Sequence, residues 1–215
     1  MADDDGDDDG DGDGDDDGDD DGDDTPPPGP TRDDIAGTAA ADQIVGTALD
    51  ERILGYEGAD LIRGGAGRDV LAGMHENDTL VGNAGEDVLL GGVGRDILVG
   101  GADADLFRFL QNGGAHLDII DDFAPGEDVL QFRAEAFSGV DGLTAGPLPE
   151  TAFALGIAAE GLEGADGSAV RFLYETRGQI GVLRYDPDGA GGAEAQIVAV
   201  LRGAPELSAA DIELF

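Results

Sequence analysis

A chain of 215 residues with 38 glycines, 5% aromatic residues and no cysteine cannot build a thick conventional core, a disulfide scaffold or a thiolate metal site. Its formal charge of −38, with every one of its 11 basic residues an Arg, argues against nucleic acid and anionic membrane as partners and in favour of cations. No apolar run is long enough to cross a bilayer, and the start "MADDDGDDDG" has neither the basic nor the apolar region of a cleaved signal peptide.

The first region, 1–30, opens with Asp and Gly alone from Asp3 to Asp24, a block that repels itself and has nothing apolar to bury. "TPPPGP", Thr25 to Pro30, then forms a stiff extended spacer. The block reads as a solvated tail; loose attraction of divalent ions and adaptation to high salt are its other readings.

The second region, 31–108, contains eight nine-residue units in one unbroken frame over 37–108: "GTAAADQIV", "GTALDERIL", "GYEGADLIR", "GGAGRDVLA", "GMHENDTLV", "GNAGEDVLL", "GGVGRDILV" and "GGADADLFR". Position 1 is always Gly, position 6 always acidic, and position 8 is Ile or Leu until Phe107 closes the series. A fixed short period of this kind marks a solenoid, in which each unit buries its apolar side only against its neighbours.

These units match the pattern G-G-x-G-x-D-x-U-x, and the stretch resembles the RTX, or hemolysin-type, calcium-binding repeats. The resemblance implies an all-β fold: a right-handed parallel β-roll followed by a β-rich C-terminal cap. Positions 7 to 9 are expected as a short strand and positions 1 to 6 as a turn whose backbone angles glycine reaches cheaply. Two units then make one coil of eighteen residues around a narrow interior of Ile44, Ile53, Ile62, Leu71, Leu80, Leu89, Leu98 and Phe107.

Stacking also puts Asp42, Asp60, Asp78 and Asp96 along one edge and Glu51, Asp69, Asp87 and Asp105 along the other. Such columns repel unless a cation sits between them, and calcium accepts mixed carboxylate and carbonyl oxygens in flexible geometry. In the family, one turn gives the carbonyls of positions 2 and 4 with its aspartate, and the turn eighteen residues on gives those of positions 1 and 3 with its own. Carried over, this implies a site from Asp69 and Asp87 with the carbonyls of Gly65, Gly67, Gly82 and Ala84. A second follows from Asp87 and Asp105 with those of Asn83, Gly85, Gly100 and Ala102. On the other edge Asp60 and Asp78 would use Tyr56, Gly58, Gly73 and His75, and Asp78 and Asp96 would use Met74, Glu76, Gly91 and Val93. Met74 and Glu76 stand where the pattern has glycine, so this edge is expected to bind more weakly. Thr38, Ala40, Thr47 and Leu49 also replace turn glycines, and the first two units are expected to cap the roll with little metal.

Outward positions 7 and 9 on one sheet include Val70, Ala72, Val88, Leu90 and Leu106, with Arg52 and Arg108 at the ends. This apolar face is expected to be an interface, covered by the C-terminal strands. The third region, 109–215, reads as short strands at "LDIIDDF", "DVLQF", "AVRFLYE", "QIGVLRYD" and "QIVAVLRG". "DPDGAGGAEAQI", Asp186 to Ile197, matches a calcium loop at its first residues but lacks the closing Glu, and reads as a hairpin turn.

No zinc motif surrounds His75 or His116, no nucleophile elbow surrounds Ser138, Ser168 or Ser208, and Asp121 and Asp122 read as a strand end. The sequence therefore predicts a non-catalytic calcium-binding protein. What the resemblance adds is export without a leader by type I (ABC transporter) secretion and folding on extracellular calcium. "LSAADIELF" at the C-terminus is compatible with an uncleaved export signal. A structural role at the surface or in the matrix leads. An accessory module that binds surface or matrix polysaccharide, or a targeting module of an RTX protease, lipase or polysaccharide-modifying enzyme, is the alternative.

Overall fold

The computed structural model describes residues 33–110, 117–137, 145–155, 171–186 and 195–215. The Asp/Gly tail and most of the loop at 186–197 lie outside the described residues.

One strand before the repeats and eight along them follow one another: β1 (Asp33–Ala36), β2 (Gln43–Val45), β3 (Glu51–Tyr56), β4 (Leu61–Ala66), β5 (Val70–His75), β6 (Thr79–Ala84), β7 (Val88–Val93), β8 (Ile97–Ala102) and β9 (Leu106–Phe109). Alternate strands pair in parallel, β1-β3-β5-β7-β9 in one sheet and β2-β4-β6-β8 in the other. Register advances by eighteen residues, as in Leu71↔Leu89 and Leu80↔Leu98. The chain is thus a parallel β-roll, as the period predicts.

Six of these strands are twice as long as positions 7 to 9 alone. β4 to β8 run on into positions 1 to 3 of the next unit, where pairing resumes beyond the first glycine, as in Gly65↔Asn83. The chain therefore bends while it stays hydrogen-bonded.

Position 8 points inward throughout: Ile53, Ile62, Leu71, Leu80, Leu89 and Phe107 are fully buried, and Ile44 and Leu98 nearly so. Burying each Leu or Ile is worth roughly 1.5–3 kcal/mol, so this one-residue-wide ladder is the apolar source of stability inside the roll.

The two sheets do not stop at 108. β10 (Asp118–Ile120) pairs with β8, and β11 (Val129–Phe132) pairs with β9, both in parallel. β17 (Ile212–Leu214) then adds to β11 and the short β12 (Gly146–Pro147) to β17. β16 (Gln196–Arg202) adds to β10, followed by β15 (Ile180–Tyr185), β14 (Phe172–Arg177) and β13 (Phe153–Leu155). All five strands read from the C-terminal sequence are present; β12, β13 and β17 were not among them.

The inward ladder continues through Ile120, Leu130 and Ile212, all fully buried. It then widens into an aromatic plug, where Phe132 stacks on Phe109 at 4.9 Å and Phe137 meets Tyr185 edge-on at 4.9 Å.

The C-terminal strands lengthen the sheets edge-on, which corrects the expectation that they lie across the outer face of β5, β7 and β9. Val70, Val88, Leu90 and Leu106 on that face are half-buried. Arg108 there reaches the Phe215 ring at 4.8 Å from its centroid.

Candidate metal sites

Each turn is built around two backbone positions. In the six units from Gly55 onward, positions 2 and 4 both have positive φ: Tyr56 and Gly58, Gly65 and Gly67, Met74 and Glu76, Asn83 and Gly85, Gly92 and Gly94, Gly101 and Asp103. Thr38, Ala40, Thr47 and Leu49 in the first two units do not share that conformation. Gly85 shows why glycine is preferred: a Cβ there would overlap the Gly67 carbonyl, at φ +116°.

The acidic residue at position 6 folds back under the preceding coil. Oδ1 of Asp60 accepts the backbone N–H of Asp42, and Asp78 accepts that of Asp60, each at 2.8 Å. On the opposite edge Asp69 takes the N–H of Glu51, Asp87 that of Asp69 and Asp105 that of Asp87, at 2.8, 2.8 and 2.9 Å. One carboxylate oxygen of each residue therefore fixes the eighteen-residue register.

The other oxygen is spare. Oδ2 of Asp60, Asp69, Asp78, Asp87 and Asp105 is buried without a hydrogen-bond partner. Its surroundings are specific: a Cβ built on Gly82 would overlap Asp87 Oδ2 and stand 2.5 Å from the Gly100 carbonyl oxygen. The same cradle pairs Asp69 Oδ2 with the Gly82 carbonyl beside Gly64, Asp60 with Gly73 beside Gly55, and Asp78 with Gly91 beside Gly73. A carboxylate and a carbonyl oxygen face one space with no donor between them, which is unfavourable unless a cation joins them. The donor set, all oxygen and part backbone, fits calcium. Among the described residues no three His, Cys, Asp or Glu converge on one point, so a cage of side chains alone is not what these turns offer.

Burial raises the carboxyls, with neighbouring charges adding to it. Asp78 and Asp87 are each pushed up to about 6, Asp105 to about 7, and Asp69 upward as well. The next charges in the column contribute: Asp96 and Asp60 act on Asp78, and Asp128 and Asp87 on Asp105.

Among the ligands implied by resemblance, the position-1 carbonyls of Gly73, Gly82 and Gly100 stand beside Oδ2 of Asp60, Asp69 and Asp87. The carbonyls of Ala84 and Ala102 accept the N–H of Gly67 and Gly85, at 3.0 and 3.2 Å, which leaves each a second lone pair. Gly65, Gly67, Asn83, Gly85, Tyr56 and Gly58 occupy the positive-φ turns, and His75 ends β5 exposed to solvent.

The first two units solve the same problem with hydroxyls. Thr38 donates through N at 2.7 Å and through Oγ1 at 2.9 Å to Asp42 Oδ2. Thr47 donates through N to Glu51 Oε2 at 3.2 Å and through its hydroxyl to Glu51 Oε1. At the far end Ser208 N and Oγ donate to Asp211 Oδ2 at 2.7 and 2.8 Å, while Asp211 Oδ1 accepts Gly126 N. The oxygen that is spare in the middle is satisfied at these ends.

"GMHENDTLV" keeps its turn by other means. Met74 (φ 83°) and Glu76 (φ 68°) adopt the glycine conformation. Glu76 Oε2 accepts the N–H of Gly58 one coil back at 3.0 Å, and Asn77 Oδ1 accepts that of Arg95 one coil on at 2.8 Å.

Two members of the columns lie beyond the repeats and were missed in the sequence. Asp118 Oδ1 accepts the Asp96 N–H at 3.1 Å, and Asp128 Oδ1 accepts that of Asp105 at 2.9 Å. Both were legible as D-x-U, in "DII" at 118–120 and "DVL" at 128–130, but longer turns break the period before them. Burial, then the charge of Asp96, pushes Asp118 up to about 8. Asp122 accepts the N–H groups of Gly100 and Gly101, both at 2.9 Å, and Asp121 pairs with Arg202 at 2.9 Å; both work at a strand end, as the sequence suggests.

The family model for the RTX calcium-binding nonapeptide repeat, in four copies, matches residues 45–74 and 76–107. These residues are RTX calcium-binding repeats. Comparison with curated proteins finds no match. Among solved structures, this chain is similar to the AlgE6R3 subunit of the Azotobacter vinelandii mannuronan C5-epimerase. That match is 27% identical, covers 82% of this chain and 79% of that one, and has a TM-score of 0.44. The AlgE6R2 subunit of the same enzyme matches at 28% identity over 83% of this chain and 90% of that one, TM-score 0.43. The extracellular lipase LipA of Serratia marcescens matches at 15% identity over 85% of this chain and 40% of its own, TM-score 0.34.

Proposed function

We propose that this chain is a secreted, non-catalytic calcium-binding protein whose repeats fold when they meet extracellular calcium, with a structural role at the cell surface or in the matrix. The observation that carries the reading is the row of buried, unpartnered Oδ2 atoms of Asp60, Asp69, Asp78 and Asp87, each facing a backbone carbonyl across a glycine. The charged ligands are Asp69, Asp87 and Asp105 on one edge and Asp60, Asp78 and Asp96 on the other, with carbonyls of the intervening turns completing each site.

Calcium supplies the positive charge that lets stacked carboxylates share a gap. Everything else belongs to the chain: Oδ1 sets the register, the glycine leaves room, and the inward Leu and Ile close the coil. At low cytosolic calcium the columns repel and the repeats stay open, a state suited to threading through a type I exporter. Millimolar calcium outside binds only the stacked form and stabilises it by about 2.7 kcal/mol per site at a hundredfold excess over Kd. Residues 1–30 are the solvated tail in this reading, 31–108 the switch and 109–215 its cap, with the export signal at the extreme C-terminus.

The first edge should bind more tightly than the second. Both carry non-glycine residues at positive φ, but Asn83 and Asp103 are types that tolerate it, whereas Tyr56, Met74 and Glu76 pay about 1–2 kcal/mol each.

Circular dichroism and calorimetry during a calcium titration, repeated with magnesium, test the central claim. Strand content should rise with calcium and not with magnesium, and a flat response to both would defeat it. Detection in culture medium, lost on removing the last fifty or so residues, tests export.

A further inference from the structure

The direction in which each spare oxygen points determines which turns share an ion. Asp69 Oδ2 lies beside Gly64 and shares that cradle with the carbonyl of Gly82, eighteen residues downstream; Asp60, Asp78 and Asp87 do the same with Gly73, Gly91 and Gly100. Each aspartate thus offers its free oxygen to the gap below its own turn. The gap between turns 82–87 and 100–105 is served by Asp87 Oδ2, so Asp105 Oδ2 is left over. Asp105 Oδ2 lies beside Gly100 and has no hydrogen-bond partner, in a residue only 1% exposed. By the same geometry it faces the turn that follows β10, outside the repeats.

That turn is built as a successor. Asp128 Oδ1 accepts the Asp105 N–H at 2.9 Å, the contact that Asp105 makes to Asp87 at 2.9 Å. Leu130 follows Asp128 as Phe107 follows Asp105, and the two are paired across β11 and β9. Asp128 is 4% exposed, and its Oδ2 accepts the Ala124 N–H at 2.8 Å, which leaves that oxygen a further lone pair. Phe123 anchors the turn on Phe107, with ring centroids 5.9 Å apart. The turn "DFAPGED" is one residue longer than the six of a repeat, which is why a search by period ends before it.

We propose that the ion ladder has a further site beyond the repeats, a hard divalent cation of calcium's kind held between turns 100–105 and 122–128 with Asp105 and Asp128 as its charged ligands. The proposal rests on the calcium reading above and extends it: the site ties β11, and through it β17, to the same ions that stack the repeats.

Bound calcium is counted on the full chain by native mass spectrometry, for the wild type, Asp128→Asn and Asp105→Asn. Asp128→Asn should hold one ion fewer than the wild type and Asp105→Asn two fewer, because Asp105 serves the gaps on both sides of its turn. A full wild-type complement in Asp128→Asn overturns the proposal. Should that variant fail to fold, wild-type crystals loaded with terbium give the answer by anomalous scattering. A peak between the two turns supports the site, and peaks at the repeat gaps without one there overturn it. A wild type that takes up neither calcium nor terbium defeats the underlying reading instead, a result distinct from losing this one site.

Discussion

Asp87→Asn changes one atom at the centre of the roll, and its effect should reverse sign with calcium. The variant keeps the shape of the carboxylate and an oxygen for the Asp69 N–H, now 2.8 Å from Oδ1. That bond weakens on losing its charge, by about 1 kcal/mol. In place of Oδ2 the amide sets an N–H toward the Gly100 carbonyl, which faces the same cradle. A new hydrogen bond is worth about 0.5–1.5 kcal/mol, and relief of a buried unsatisfied acceptor about 1–3 kcal/mol more. Without calcium the variant should therefore be more stable than the parent by roughly 1–3 kcal/mol. With calcium it loses ligation in the two gaps that flank its turn, each worth about 2.7 kcal/mol at a hundredfold excess, and, after the ion-free gain is set against that loss, should be less stable than the parent by roughly 2–4 kcal/mol. The assay is strand content by circular dichroism, against urea in calcium and against trimethylamine N-oxide in EDTA, where the osmolyte draws out residual folding. A variant that weakens the fold in both arms, or in neither, refutes the account of the two oxygens.

Three further outcomes follow. Met74→Gly releases a side chain held at φ 83°, a gain of about 1–2 kcal/mol offset by about 0.5–1 for the freer unfolded chain; the calcium midpoint of its edge should fall about two- to fivefold, with Asn83→Gly giving less. Thr47→Val removes the hydroxyl that donates to Glu51 and accepts the Leu49 N–H, and should cost about 1–2 kcal/mol equally in calcium and EDTA, with the number of bound ions unchanged by calorimetry. Acid should substitute in part for calcium. Asp78, Asp87 and Asp105 have folded pKa values raised to about 6, 6 and 7 from the usual 3.8, so the ion-free fold binds more protons than the unfolded chain across that window and loses stability as pH rises through it. In EDTA, strand content should climb as pH falls from 8 toward 5, and calcium affinity should fall over the same range; a calcium-free signal independent of pH would contradict the burial of these groups.

The roll was legible in the sequence because one residue in nine does one job. Gly at position 1, acid at position 6 and Leu or Ile at position 8 map directly onto the turn, the column and the buried ladder. Even the departure of the first two units could be read, since Thr38 and Thr47 stand where turn glycines belong; what could not be read is that their hydroxyls donate to Asp42 and Glu51. The period failed where turn length changed. Asp118 and Asp128 continue the columns, but the first follows a longer connection and the second a turn with one added residue. The outer face misled for a different reason: alternation shows that Val88 and Leu90 point outward, yet says nothing of whether later strands lie over a face or extend an edge. Sheets whose strands all run in one register present open edges, and β10, β11, β16 and β17 take those edges.

The two oxygens of each aspartate divide the work between specificity and control. Oδ1 accepts a backbone N–H eighteen residues upstream and selects one register, because a slip by one residue would carry the inward ladder to the outer face. Oδ2 does nothing for the ion-free fold and weakens it through buried charge. Register is thereby written into the chain permanently, while stability is left to conditions outside it. The ends are exempt: Thr38 with Asp42, Thr47 with Glu51 and Ser208 with Asp211 satisfy their carboxylates by hydroxyl and N–H. Strands next to these ends need the ion least, so they offer the edges on which the first coils stack. Folding should then run inward from the hydroxyl-locked ends toward the charged middle, where Asp78 and Asp87 are the last carboxylates to find a counter-charge.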